Sequence, residues 1–231
     1  MDLKEKFDKF ENWITKFEID GISYGGWYSA GAADEPRLTQ FFTLFPHCKK
    51  ILELGSFEGG QTVVLSSNAD VVGVEGRQSN IDKSEFIKSI VCPNKNVRFV
   101  CEDLEEYDLT KLGTFDVVFC VGLLYHIVEP WLLLDKIRKV SNNLFLWTHY
   151  CADEDVNVSI QGYEGFVMFE PIGLDQKENS TDGLSINAYR PTLSSLTDMI
   201  MDSGFDDFNI IYDQSDHIHG PAVTISAKAS S

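Results

Sequence analysis

Residues 51–62 read ILELGSFEGGQT, and this stretch decides the predicted fold. A short apolar run ends in a glycine turn, and a helical pattern follows, so we predict a buried strand that leads through a loop into a helix. Glycine allows the backbone to approach a ligand closely, and the start of a helix presents unpaired N–H groups. We therefore expect Gly55, Ser56, Phe57 and Gly59 to form one wall of a cofactor site.

An acidic residue ends the second predicted strand of the same unit. Glu75 follows Gly55 by about 20 residues, the spacing at which an acidic side chain binds ribose hydroxyls in open α/β sheets. Gly76 comes directly after it. The combination predicts an adenosine-containing cofactor that Glu75 and Gly76 contact.

The residues around the turn indicate which adenosine cofactor binds. A dinucleotide-binding loop reads G-x-G-x-x-G, and here the middle glycine is missing between Gly55 and Gly59. Glu53 precedes the turn, where its carboxylate would repel a pyrophosphate but would suit a positively charged amino-acid group. We therefore predict S-adenosyl-L-methionine, which carries an ammonium and a sulfonium group. An NAD-dependent oxidoreductase is the weaker alternative.

The third and fourth predicted strands add candidate contacts to the adenine. Asp103 follows the third strand and is our candidate partner of the adenine amine, with Glu102 beside it as the alternative. Leu104 is placed to pack on the adenine ring. Val121, at the end of the fourth strand, is a further candidate cofactor contact.

Candidate catalytic residues follow the fourth and fifth strands, where a methyl acceptor would lie. His126, next to Tyr125, is a candidate general base, because an imidazole titrates near neutral pH. The alternative is that His126 only orients the loop or packs on the cofactor. His149, followed by Tyr150, forms a second candidate pair at the same edge of the sheet.

Short apolar runs alternate with helical stretches from residue 49 onward, which predicts a doubly wound α/β fold with a largely parallel sheet. The last two strands are joined without a helix, so the final strand should be antiparallel. The seven predicted strands cover residues 49–54, 71–75, 97–101, 115–121, 143–148, 208–212 and 222–227. The predicted helices cover residues 36–45, 60–67, 78–90, 131–140 and 192–203, with a weaker one near 105–111.

The N-terminal part, residues 1–48, differs from the rest of the chain. Apolar residues at intervals of three and four predict an amphipathic helix over residues 3–19. Gly25, Trp27 and Tyr28 follow it in a glycine-rich segment that we interpret either as a lid over the cofactor or as a packed loop. The aromatic stripe of the helix favours core packing or a homodimer interface.

Residues 49–231 are predicted to form the cofactor-binding domain. Residues 151–188 interrupt its strand–helix alternation and are rich in Gly, Asp, Glu and Asn. A long irregular insertion is unusual in a compact domain unless it has a function. We expect this insertion to form a lid that shapes the acceptor pocket.

Charge and cysteine content narrow the possible partners. The formal net charge of −17 repels phosphate backbones, which argues against nucleic-acid binding and favours a small-molecule substrate. No apolar run is long enough for a membrane span, and no signal peptide is recognisable. The five cysteines lack metal-ligand spacing, and His217 and His219 have no third ligand, so we predict reduced thiols, no metal site and a cytoplasmic location.

The quoted motifs, in this order, resemble class I S-adenosylmethionine-dependent methyltransferases over residues 49–228. The resemblance implies a seven-stranded sheet with the cofactor across its first four strands. The stretch from Gly122 to Pro130, together with Arg190 onward, is similar to the branch that contains the tRNA wobble-uridine carboxymethyl-transferring enzymes. That branch implies a basic face for tRNA, which this acidic chain lacks. We therefore expect a methyltransferase for a small molecule, with a tRNA-modifying transferase or a non-catalytic cofactor-binding module as alternatives.

Overall fold

The computed structural model describes residues 2–29, 35–169 and 183–230. Within these residues the α-helices are α1 (Leu3–Phe7), α2 (Pro36–Leu44), α3 (Gly60–Leu65), α4 (Gln78–Val91), α5 (Pro130–Arg138) and α6 (Leu193–Asp202). The strands are β1 (Lys16–Ile19), β2 (Ile22–Gly25), β3 (Lys50–Leu54), β4 (Asp70–Glu75), β5 (Val97–Cys101), β6 (Val117–Val121), β7 (Asn143–His149), β8 (Val158–Ile160), β9 (Tyr163–Phe169), β10 (Asn187–Pro191), β11 (Asp207–Gln214) and β12 (Ala222–Lys228).

The central sheet has seven strands in the order β11-β12-β7-β6-β3-β4-β5. The pairs β3–β4, β4–β5 and β6–β7 are parallel, whereas β12 runs antiparallel to both β7 and β11. The predicted fold class is therefore confirmed, including the antiparallel last strand. Each of the seven predicted strands is present, with bounds that differ by two residues at most.

The described residues divide into two compact units, one up to Glu102 and the other from Asp103 onward. The first unit contains β3, β4 and β5, and Ile51, Leu52 and Leu54 of β3 are buried. Strands buried on both faces read as continuous apolar runs, which is why the sequence located them. The domain division at residues 48 and 49 stays a prediction.

The predicted helix over residues 3–19 is wrong beyond its first turns. Helix α1 ends at Phe7, and β1 and β2 form a hairpin joined by Asp20 and Gly21, both with positive φ. A two-residue Asp-Gly turn of this kind matches the twist of paired strands. The aromatic residues that suggested a helical face instead form a cluster around Phe7, Phe17 and Ile87.

The second unit contains β6, β7, β11 and β12 together with a small separate sheet. Strands β8, β9 and β10 form an antiparallel sheet in the order β10-β9-β8. The prediction that residues 151–188 are irregular is therefore wrong for β8 and β9, and residues 170–182 lie outside the described part. The weak helix near residues 105–111 is a short 3-10 helix, Leu109–Leu112.

Two further observations concern the described residues alone. None of their helices has the length and apolar character needed to cross a membrane. All five cysteines are free thiols. The expected cytoplasmic location and the homodimer stay predictions.

Candidate active site

The glycine turn after β3 is held by backbone geometry that few residue types adopt. Gly55 and Gly59 have φ of +74° and +79°, and Phe57 between them has φ of +51°. The N–H groups of Gly55 and Ser56 donate to the Val74 carbonyl oxygen at 2.9 and 3.1 Å. These bonds fix the turn against the end of β4, where the sequence predicted a ligand site.

Glu53, the second-last residue of β3, is buried, and one of its carboxylate oxygens has no hydrogen-bond partner among the described residues. Its side chain is 1% exposed, and Oε2 accepts a hydrogen bond from Thr62 Oγ1 at 2.5 Å. Oε1 has no hydrogen-bond partner within the described ranges of the chain. Burial, opposed by the Thr62 hydrogen bond and assisted by the charge of Glu75, raises the pKa of Glu53 to about 8. A buried carboxylate oxygen without a donor fits a ligand that brings its own cation.

Glu75, at the end of β4, is buried and largely hydrogen-bonded within the protein. Its Oε2 accepts from the Phe57 N–H at 3.1 Å, and Oε1 accepts from the Arg77 N–H and Asn80 Nδ2 at 3.0 and 3.2 Å. Burial raises the pKa of Glu75, and these hydrogen bonds oppose that rise. A carboxylate has about four acceptor positions, so one position on Oε2 is available for a ligand hydroxyl.

Ser56 and Gly76 complete the predicted contacts of the first unit. Ser56 is buried and packs against Gly73 of β4. The contact is so close that a Cβ atom added to Gly73 would lie 2.8 Å from Ser56 Cβ. The Gly76 carbonyl oxygen accepts from Cys101 Sγ at 3.7 Å. Gly73 therefore has no side chain where Ser56 packs, which allows the turn to lie close to the sheet.

The residues predicted to contact adenine lie in the second unit. Asp103 Oδ1 accepts a hydrogen bond from the Glu105 N–H at 2.9 Å, and this bond stabilises the turn that follows β5. Leu104 and Val121 are buried. Their roles toward a cofactor stay predictions.

The candidate catalytic residues belong to one cluster of rings in the second unit. The ring centroids of Tyr125 and His126 are 4.1 Å apart, and those of Tyr125 and His149 are 4.8 Å apart. Trp147 and His217, which the sequence analysis did not single out for this site, each lie 5.0 Å from the His149 ring. The structure thus brings all three predicted catalytic side chains together.

The tautomer of His149 follows from its hydrogen bonds. Nδ1 lies 3.0 and 3.1 Å from the carbonyl oxygens of Gly220 and Pro221. Carbonyl oxygens only accept hydrogen bonds, so Nδ1 carries the proton and Nε2 of the neutral ring carries the lone pair. Burial lowers the pKa of His149 to about 4, which keeps the ring neutral at pH 7.

The two remaining histidines of the cluster do not form a metal site with it. The His217 Nδ1 atom accepts from the His219 N–H at 3.2 Å. Across the parts of the chain that the structure describes, no group of three or more His, Cys, Asp or Glu side chains is arranged to hold a metal ion.

Comparisons with known proteins show which family the chain belongs to. A family model described as a methyltransferase domain matches residues 52–143. The crystal structure of the N-terminal domain of EvdMO1 in the presence of SAH and D-fucose is 30% identical, with a TM-score of 0.87 over 100% of this chain and 98% of that one. The same domain with SAH bound is 29% identical, with a TM-score of 0.86. The chain belongs to the class I S-adenosylmethionine-dependent methyltransferases.

This methyltransferase is also similar to a longer protein and to more distant members of the fold. In the crystal structure of EvdMO1, 27% identical with a TM-score of 0.74, the match covers 98% of this chain but only 47% of that one. Magnesium protoporphyrin IX methyltransferase (ChlM) from Synechocystis PCC 6803 with bound SAM shares the fold at 13% identity, with a TM-score of 0.57 over 84% of this chain and 76% of that one. No curated protein sequence matches significantly. The resemblance to the tRNA wobble-uridine branch is not confirmed.

Proposed function

We propose that this methyltransferase transfers the methyl group of S-adenosylmethionine to a small-molecule acceptor. The observation that carries the proposal is the buried Glu53 carboxylate beneath the glycine turn, with an oxygen that no described residue contacts. This environment disfavours a pyrophosphate and suits the ammonium group of a cationic cofactor. Once it ionises beside an ammonium group, the same carboxylate would repel a pyrophosphate, which argues against a dinucleotide cofactor.

The residues of the first unit have separate roles in this proposal. Glu53 Oε1 would bind the ammonium group, and the available position on Glu75 Oε2 would accept a ribose hydroxyl. The positive φ of Gly55 and Gly59 holds the turn in the shape that lets its backbone approach the ligand. When bound, the cofactor supplies an electrophilic methyl group, and the protein supplies orientation and exclusion of water.

We assign the base to His149 in preference to His126. The hydrogen bonds of His149 Nδ1 leave Nε2 as the proton acceptor, and the lowered pKa keeps it unprotonated at physiological pH. The His126 ring packs on Tyr125, and the two ring centroids are 4.1 Å apart. Nε2 of His149 would accept the proton of an acceptor hydroxyl, and His126 and Tyr125 would form the surrounding wall.

A monosaccharide is the first acceptor to test. The related N-terminal domain of EvdMO1 was crystallised in the presence of D-fucose, and the ring cluster around His149 contains the aromatic side chains Tyr125 and Trp147, whose centroids are 6.1 Å apart. Methylated product would be identified by mass spectrometry after incubation with S-adenosylmethionine and a panel of sugars.

Calorimetric titration with S-adenosylhomocysteine tests cofactor binding directly. We expect Glu53→Gln and Glu75→Gln each to weaken binding by roughly tenfold or more, since hydrogen bonds to charged groups contribute about 1.5–3 kcal/mol. Glu85→Gln is the matched control, because Glu85 is an exposed carboxylate on α4 that pairs with Lys88 on its own helix. If the wild-type protein does not bind at millimolar ligand, the proposal is wrong.

A further inference from the structure

Glu58, in the glycine turn, is fully buried and connects the turn to a distant part of the chain. Its side chain is 0% exposed. The Thr15 N–H donates to Glu58 Oε2 at 2.6 Å, and the Ile14 N–H lies 3.1 and 3.2 Å from the two carboxylate oxygens. Residues 12–15, which we call the N-terminal strap, therefore hold the turn through this one side chain.

Lys83 of α4 completes the environment of the carboxylate. Its Nζ atom lies 2.6 Å from Glu58 Oε1 and donates to the Asn12 carbonyl oxygen at 3.0 Å. The same ammonium group lies 5.2 Å from the ring centroid of Trp13. A buried ion pair adds little net stability compared with apolar packing of the same volume, but it imposes one specific geometry. Here that geometry joins the N-terminal strap, α4 and the glycine turn.

The residue before Glu58 has an unfavourable backbone conformation. Phe57 has φ of +51°, in the left-handed region that bulky residues rarely adopt. Its N–H donates to Glu75 Oε2, and its carbonyl oxygen accepts from Ser84 Oγ at 2.9 Å. Such a conformation persists only where neighbouring contacts hold it, and such strain is found at ligand sites.

We propose that Glu58 is a positioning residue for the cofactor site. By binding the amides of the N-terminal strap, Glu58 keeps Phe57 in the left-handed conformation and its N–H on Glu75. That hydrogen bond orients Glu75 so that the remaining acceptor position on Oε2 faces the ribose. The inference rests on the proposed function, in which Glu75 binds the cofactor.

The substitution Glu58→Gln tests this chain of contacts. A glutamine has the same shape, but it has one acceptor oxygen in place of two and cannot bind both strap amides and Lys83. We expect the dissociation constant for S-adenosylhomocysteine to rise about tenfold, which corresponds to about 1.4 kcal/mol, the scale of one hydrogen bond to a charged group. Lys83→Met should shift it in the same direction and serves as the test if Glu58→Gln does not fold.

A double-mutant cycle with Glu75→Gln separates positioning from general destabilisation. If Glu58 acts through Glu75, then Glu58→Gln should cause little further loss of affinity in the Glu75→Gln background. Additive losses would overturn the inference, since they would mean that Glu58 acts by another route.

Ile87→Ala is the control for stability. Ile87 is buried in the aromatic cluster beside the N-terminal strap, but it makes no contact in the chain of hydrogen bonds described above. We expect it to lower the melting temperature while the dissociation constant stays at the wild-type value. If Ile87→Ala weakens binding as much as Glu58→Gln, general destabilisation explains both and the inference is wrong.

The wild-type titration separates a failure of the proposed function from a failure of the role assigned to Glu58. A wild-type protein that fails to bind S-adenosylhomocysteine contradicts the proposed function. A wild-type protein that binds, together with a Glu58→Gln variant that is folded and binds equally well, contradicts only the role of Glu58.

Discussion

The carboxyl group of Glu53 is placed where its protonation state and ligand binding must be linked. Burial raises its pKa from 4.5 to about 8, so the ligand-free protein holds a neutral carboxyl group at pH 7. An ammonium group beside Oε1 favours the ionised form. Binding therefore requires Glu53 to release a proton at pH values below 8.

This linkage predicts a pH dependence of cofactor affinity. Between about pH 6 and pH 7.5, S-adenosylhomocysteine should bind more tightly as pH rises, by up to tenfold per unit. Calorimetry in two buffers of different ionisation enthalpy should detect the released proton. Glu53→Gln should abolish both effects, and an unchanged pH slope in that variant would show that another group is responsible.

The same shift affects the free energy of unfolding with the opposite sign. Between pH 4.5 and about 8 the folded ligand-free protein binds the Glu53 proton and the unfolded chain does not. The contribution of Glu53 to stability therefore falls as pH rises through this window. Bound cofactor offsets that loss, so the stabilisation by ligand should be larger at pH 7.5 than at pH 6.

The pKa of His149 lies below that of an ordinary histidine, whereas the pKa of Glu53 lies above that of an ordinary glutamate. Burial lowers its pKa from 6.5 to about 4, with Arg190 and His217 adding to the effect. Neutral His149 thus contributes stability that is complete above pH 6.5 and is lost as pH falls through 4. As a base, it would remain competent well below the pH at which an unperturbed imidazole becomes protonated.

The rate of methyl transfer should reflect this shift. We expect kcat to be independent of pH from about pH 5 upward, and His149→Gln to lower kcat by roughly 10²–10⁴-fold with little change in cofactor affinity. His126→Gln is the matched control and should have the smaller effect. A rate that falls with an apparent pKa near 6.5, or a larger loss in His126→Gln, would contradict the assignment to His149.

At the scale of elements, the sequence predicted those strands and helices whose positions follow from a local pattern of apolar residues. Strands β3 and β6 are apolar and buried on both faces, so their runs stand out in the sequence. The hairpin of β1 and β2 was missed, because a spacing of three and four among Phe10, Trp13 and Phe17 also fits residues that meet by tertiary packing. The Asp20–Gly21 pair was the available signal for the hairpin.

Contacts between elements were beyond the reach of sequence patterns. Glu58 and Thr15 are 43 residues apart, and nothing in either segment indicates that they meet. The proton on His149 is fixed by the Gly220 carbonyl oxygen, 71 residues away, in the connection between β11 and β12. The residue types of the cofactor site were therefore predictable, whereas the residues that orient them required the fold.

At the scale of the whole molecule, charge distinguishes the proposed function from the tRNA alternative. The formal net charge of −17 opposes association with a polyanion, because nucleic-acid affinity comes largely from neutralised phosphates. A small neutral acceptor is not subject to this repulsion. The chain spans only 47% of EvdMO1, so the activity of that longer relative as a whole is not attributed to this protein.

We therefore predict no measurable binding of tRNA at physiological ionic strength. Fluorescence anisotropy with labelled tRNA should stay flat to protein concentrations of tens of micromolar, which lie within the ordinary range of nonspecific dissociation constants, about 1–100 μM. Lowering the salt concentration should not create binding, since attraction between like-charged partners cannot be unmasked in this way. Saturable binding that weakens steeply with added salt would reveal a local basic surface and would favour the wobble-uridine alternative over a small-molecule acceptor.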